Sequence, residues 1–111
     1  MNPKVVFTEE ALGFIRRQPR KAQEKISYNI RKIEAGIKEN ELFKKIEGTQ
    51  IWEIRTLFFG ISYRLFSFWD TEEQNLIVAT HGIMKKTQKT PAKEILKAEK
   101  IREEYYIDKQ Q

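Results

Sequence analysis

Three runs rich in β-branched and aromatic residues follow one another in the middle of the chain: Ile51–Phe58, Ile61–Trp69 and Leu76–Ile83. Runs of this kind predict strands. Only Phe59-Gly60 separates the first two, and the short polar stretch Asp70–Asn75 separates the second from the third. Connections this short join antiparallel neighbours, because a parallel return needs a crossover of about a dozen residues or more. The expected centre of the fold is therefore a three-stranded antiparallel meander, and the remaining segments must cover it.

Before the meander, Lys4–Phe7 reads as a short strand that adds at a sheet edge. Thr8 is a good N-cap for a helix running to about Arg17, with Glu9 and Glu10 in the first turn, where the helix dipole favours them. Pro19 interrupts that helix and suits the start of a second. There Ala22, Ile26, Ile30, Ile33 and Ile37 recur at helical spacing as one apolar face, with Gly36 near its end and Asn40 beyond. After the meander, Thr90 and Pro91 read as N-cap and first position of a last helix. Its inner stripe is Ile95, Ala98, Ile101 or Arg102, and Tyr105, and the tail from about residue 107 is expected to fray. The order β-α-α-β-β-β-α describes an α+β domain whose helices cover one sheet face. The 111 residues suit a single domain spanning 1–111, and seven Phe, four Tyr and two Trp supply its core.

Charge narrows the partners. A formal net charge of +5 favours an acidic partner such as nucleic acid. The chain has no Cys and one His, which argues against disulfides and against thiolate or imidazole metal sites. It has no Gly-rich phosphate loop, no H-E-x-x-H helix, no G-x-S-x-G elbow and no evident carboxylate cluster for paired Mg²⁺. A nuclease built on it would work without metal, and no cofactor is expected. The opening residues lack the apolar core of a signal peptide and no apolar run is long enough to cross a membrane, so a soluble, cytoplasmic protein is expected.

Alternation along the first long strand puts Trp52, Ile54, Thr56 and Phe58 on one face, and Ile51, Glu53, Arg55 and Leu57 on the other. In the next strand Arg64 shares a face with Ser62, Phe66 and Phe68. Each central strand thus places an arginine among residues that would otherwise be core. Either Arg55 pairs with Glu53 or another acid at the sheet rim, or the two guanidinium groups bind phosphate in a forked geometry. The stretch after the third strand holds Lys85, Lys86, Thr87, Lys89 and Thr90 just before a helix N-terminus. Lysines there oppose the helix dipole unless an anion binds; the alternative is a solvated basic loop. Lys44 and Lys45 precede the sheet and can extend a backbone-binding track. Trp52 and Trp69 are either core or base-stacking residues, and Tyr105 and Tyr106 read as packing and surface residues respectively. His81, at a strand end beside Gly82, is either a hydrogen-bonded structural residue or a base.

The segments Ile51-Trp52-Glu53-Ile54-Arg55, Tyr63-Arg64-Leu65-Phe66, His81-Gly82-Ile83 and Lys85-Lys86-Thr87-Gln88-Lys89-Thr90-Pro91 resemble the phage-derived Gp49-like group of HigB toxins, in the RelE/ParE superfamily of type II toxin–antitoxin systems. The resemblance covers nearly the whole chain, including the helical hairpin and the Leu42-Phe43-Lys44-Lys45 entry to the sheet. It implies the same fold, and ribosome-dependent, metal-independent cleavage of mRNA. It also implies a cognate antitoxin, often of helix-turn-helix type, and operator DNA bound only by the toxin–antitoxin complex. The chemistry would be attack of a ribose 2′-OH on the adjacent phosphate, which needs a base, an acid and positive charge. Arg55 and Arg64 would bind the phosphate and its transition state. Lys85 or Lys86 would act as base if repulsion between them depressed one pKa, with His81 as the rival base. Lys44, Lys45, Thr87, Lys89 and Thr90 would hold the RNA backbone. Three other readings remain open: a ParE-like toxin that inhibits gyrase, a non-catalytic RNA- or ribosome-binding module, and a degenerate toxin kept for antitoxin binding or lost to drift.

Overall fold

A computed structural model of the chain describes residues 2–85 and 89–111. Its elements are β1 (Lys4–Phe7), α1 (Glu9–Arg16), α2 (Arg20–Glu34), β2 (Phe43–Lys45), β3 (Trp52–Phe58), β4 (Ile61–Trp69), β5 (Leu76–Lys85) and α3 (Ala92–Lys109). The strands form one sheet in the order β1-β5-β4-β3-β2. The β3–β4–β5 meander is antiparallel, as expected, and β1 adds at the edge, parallel to β5. Phe59 and Gly60 link β3 to β4 with φ of 48° and 77°. Two left-handed residues are what a two-residue hairpin turn requires, and they seat Phe58 opposite Ile61. Strand β2 is an addition to the expected order. It has three residues, two of them lysines, too few to show alternation.

Alternation along the strands leaves large apolar side chains on both sheet faces, and each face has its own helical cover. On one face, Ala11 and Phe14 of α1 and Ala22, Ile26, Ile30 and Ile33 of α2 pack on Ile54, Tyr63, Leu65, Ile77 and Ala79. The Thr8 hydroxyl caps α1 by accepting from the Ala11 N–H at 3.1 Å. Helix α2 stops at Glu34, before Gly36 at φ 94°, although Ile37 still packs on this core from outside the helix. On the other face, Ile51, Phe66, Phe68 and Val78 pack against Ala98 and Tyr105 of α3.

Placing all helices on one face is therefore corrected: α3 crosses the opposite face, which would otherwise expose Phe66 and Phe68, both fully buried. The expected frayed tail is corrected as well, since α3 stays helical to Lys109. Asp70, in the β4–β5 turn, ties down that end by accepting from the Tyr105 hydroxyl at 2.6 Å and the Lys109 ammonium at 2.7 Å. Tyr106 is half-buried against Phe68 rather than a surface residue, and its hydroxyl accepts from the Thr71 N–H at 2.8 Å. Thr90 does not cap α3: Pro91 holds the cap position and makes no side-chain cap hydrogen bond.

One irregularity controls the site. The β4–β5 register shifts between Phe66, opposite His81, and Ser67, opposite Ala79. Thr80 is the extra residue of a β-bulge, and its hydroxyl donates to the Phe66 carbonyl at 3.2 Å. Beyond the bulge the alternation of β5 is reversed. His81, Ile83 and Lys85 thereby join the face of Arg64, while Gly82 turns towards Phe14.

Candidate nucleic-acid interface

The two-residue hairpin turn sets Arg55 directly opposite Arg64 across β3 and β4. Like charges in that position repel. Glu53 lies between them and neutralises part of the repulsion. Its Oε1 accepts from Arg64 Nη1 at 3.1 Å and is 4.0 Å from Arg55 Nε. Arg64 Nε donates to the Ser62 hydroxyl at 2.8 Å, so a residue only 4% exposed is held at two points. Arg55 is the more accessible of the pair, and its Nη1 donates to the Asn40 carbonyl at 3.3 Å.

The other Glu53 oxygen, Oε2, accepts from the Thr90 hydroxyl at 2.6 Å. The Thr90 oxygen in turn accepts from Lys85 Nζ at 3.0 Å. The expected Thr90 N-cap is thus a relay that joins Lys85 to Glu53. Lys85 itself is the last residue of β5 and is buried, not part of a solvated loop. Burial lowers the pKa of Lys85, Arg64 and Arg55 push in the same direction, and Glu53 opposes them. Burial likewise lowers that of Arg64, against the pull of Glu53.

These cations lie on the wall of an open cleft of ≈ 580 Å³ whose lining includes the cations Lys25, Lys32, Arg55, Arg64 and Lys85 and the acidic Glu39 and Glu41. The far wall comes from α2, where the Asn29 amide donates to the Thr56 hydroxyl at 3.0 Å and fixes the helix to β3. A cleft with ammonium and guanidinium groups on its walls suits a phosphodiester. Among the described residues no three His, Cys, Asp or Glu side chains are grouped as a metal site requires.

The remaining sequence candidates divide. Lys44 is exposed opposite Glu53, on the same face as the cluster, whereas Lys45 alternates to the other face. Lys89 is exposed beside Thr90. Lys86 and Thr87 lie outside the described residues. His81 is 2% exposed and is not part of the cleft wall. Its ring stacks on Phe66, with Nε2 3.1 Å from Glu94 Oε1 and Nδ1 3.0 Å from the Thr80 hydroxyl. Burial lowers its pKa, with the Glu94 hydrogen bond opposing. These contacts are those of a structural histidine. Trp52 and Trp69 pack with Phe43 as part of the core, at ring-centre distances of 4.6 and 6.1 Å.

From the sequence alone, Glu53 is expected only as a partner for Arg55. The signal for its larger role was available, because the hairpin register puts both arginines and Glu53 on one face. Glu94, the partner of His81, carried no such signal.

A helical hairpin on one face of a mixed five-stranded sheet and a C-terminal helix on the other make a RelE-like α+β fold. A double arginine-to-alanine mutant of the E. coli toxin RelE, solved in its free state, superimposes with a TM-score of 0.55 at 18% identity, over 74% of this chain and 82% of that one. The chain belongs to the phage-derived Gp49-like family (DUF891), whose model matches residues 13–103. No curated protein matches the sequence.

Proposed function

We propose that this protein is the toxin of a type II toxin–antitoxin pair, and that it cuts mRNA on the ribosome through attack of a ribose 2′-OH on the adjacent phosphate, which forms a 2′,3′-cyclic phosphate and expels the 5′-oxygen of the next nucleotide as a hydroxyl protonated from solvent. The observation that carries this reading is the Arg55–Arg64–Lys85 cluster on the wall of an open cleft. Family membership and the RelE-like fold support it.

In this mechanism Arg55 meets the phosphate and Arg64 stabilises the charge that grows on its equatorial oxygens. Lys85, with its pKa lowered by burial and by Arg64, is the base for the 2′-OH, and Lys86 shares that role or supplies charge. Lys44, Thr87 and Lys89 extend the backbone track, Lys45 on the other face is left out of it, and Thr90 holds Lys85 in place. His81 is left out of the reacting set because it does not line the cleft that Arg64 and Lys85 line. The partners are mRNA on the ribosome, a cognate antitoxin of helix-turn-helix type, and operator DNA only through the toxin–antitoxin complex, all in the cytoplasm.

The test is a reconstituted translation reaction with message 5′ ends mapped by primer extension. New ends are expected on translated message alone, and none on ribosome-free RNA with or without EDTA. Arg55→Ala should lower the cleavage rate about 10²–10³-fold, the usual loss for one transition-state donor. A folded wild-type protein that yields no new ends would overturn the nuclease reading. A parallel DNA-supercoiling assay then separates gyrase inhibition from binding alone.

A further inference from the structure

The cation cluster is already occupied by an anion of its own. Glu53 is 4% exposed, and both its carboxylate oxygens are engaged: Oε1 by Arg64 at 3.1 Å, Oε2 by the Thr90 hydroxyl at 2.6 Å. Through Thr90 it reaches Lys85, and Arg55 Nε stands 4.0 Å away. One carboxylate therefore faces three cations from three neighbouring strands. Two oxygens offered to guanidinium and hydroxyl donors present the geometry of the non-bridging oxygens of a phosphodiester.

We propose that Glu53 is an internal counter-ion that stands in for the RNA phosphate, and that the phosphate displaces it from Arg64 on binding. This rests on the reading of the cleft as an RNA site, and it assigns a role to a residue outside the proposed chemistry. In the free protein, Glu53 offsets part of the repulsion between Arg55 and Arg64 across the hairpin. On binding, its charge competes with the ligand, so the wild-type protein holds RNA less tightly than its cations alone would allow. A merely structural Glu53 makes the opposite prediction, because its loss would loosen the arginines and weaken binding.

The experiment uses a short fluorescein-labelled 2′-O-methyl RNA oligonucleotide, which has no free 2′-OH and is not cut, titrated by fluorescence anisotropy across a salt series. Glu53→Gln keeps the shape and removes the charge. It is expected to tighten binding about tenfold, as for one charge-assisted contact regained. It should also steepen the slope of log K against log salt by about 0.7, one additional phosphate contact on a single strand. Weaker or unchanged binding by the folded variant overturns the proposal, as does the failure of both proteins to bind at low salt. Should the variant not fold, the wild-type protein decides: the Arg64 Nε–Hε signal should move in ¹⁵N NMR as the oligonucleotide saturates, and a stationary signal overturns the proposal. The cleavage assay stays separate. Tighter binding with no cut message leaves the counter-ion standing and removes the nuclease reading; cut message without tighter binding removes the counter-ion alone.

Discussion

Asp70 shows how a single side chain can secure a chain end. Burial alone would raise its pKa. Hydrogen bonds from Lys109, from the Tyr105 hydroxyl and from the backbone N–H groups of Glu72 and Glu73 outweigh that, and hold the carboxyl well below the ordinary value of 3.8. Burial and the bond to Asp70 push the Tyr105 hydroxyl up to about 12. A depressed folded-state pKa means that the unfolded chain binds more protons in acid, so stability rises with pH through this window. The contribution is complete above the unfolded value of 3.8 and is lost as pH falls through the lower folded one. Urea unfolding between pH 7 and pH 2 should show that loss, and Asp70→Asn should flatten it. At pH 7 the same substitution should cost about 1–3 kcal/mol through weakened hydrogen bonds. A variant with the wild-type acid profile would show that Asp70 does not carry the effect.

Strand β5 owes its usefulness to one extra residue. If Thr80 paired as an ordinary strand residue instead of bulging, strict alternation from Ile77 would send His81 and Lys85 to the α1–α2 face, away from Arg64. The reversal also turns Gly82 towards α1 at very close range: a Cβ built there would stand 2.3 Å from the Phe14 ring. Gly82→Ala must therefore displace Phe14, and thermal unfolding should register a loss of about 1–3 kcal/mol, the usual range for overpacking. Combining it with Phe14→Leu should recover part of that loss. Strictly additive effects in the double-mutant cycle would contradict direct contact.

Helix α3 is held at both ends and forms part of the body of the molecule. Near its start, the Lys97 ammonium pairs with Glu10 of α1 and Glu94 meets His81; near its end, Tyr105 and Lys109 hold Asp70. Tyr105 and Tyr106 cover Phe68 with ring-centre distances of 5.2 and 6.1 Å. Truncation after Glu104 should remove roughly 3–5 kcal/mol, combining lost aromatic burial with broken hydrogen bonds. That is a large share of the about 5–15 kcal/mol that holds a small domain folded. Urea unfolding of the truncated chain should show a clearly lower midpoint; an unchanged midpoint would mean that the last turn contributes nothing.

Local information determined the meander, the helical hairpin, the Thr8 cap and the faces of β3 and β4, because period, turn length and capping chemistry act between residues close in the chain. The Phe59-Gly60 turn even determined, by counting back along both strands, that Arg55 faces Arg64. The remaining features depended on contacts between distant segments. Strand β2 exists because β3 offers it a hydrogen-bonding edge, not because three residues prefer to be extended. Helix α3 took the second face because Phe66 and Phe68 had to be covered, and its last turn persists because Asp70 lies beneath it. The bulge at Thr80 leaves no trace in residue type, so the approach of Lys85 to the cluster and the burial of His81 were decided only when β5 packed between β1 and β4. Thr90 moved from helix cap to relay for the same reason: folding brought the Glu53 carboxylate within reach of its hydroxyl.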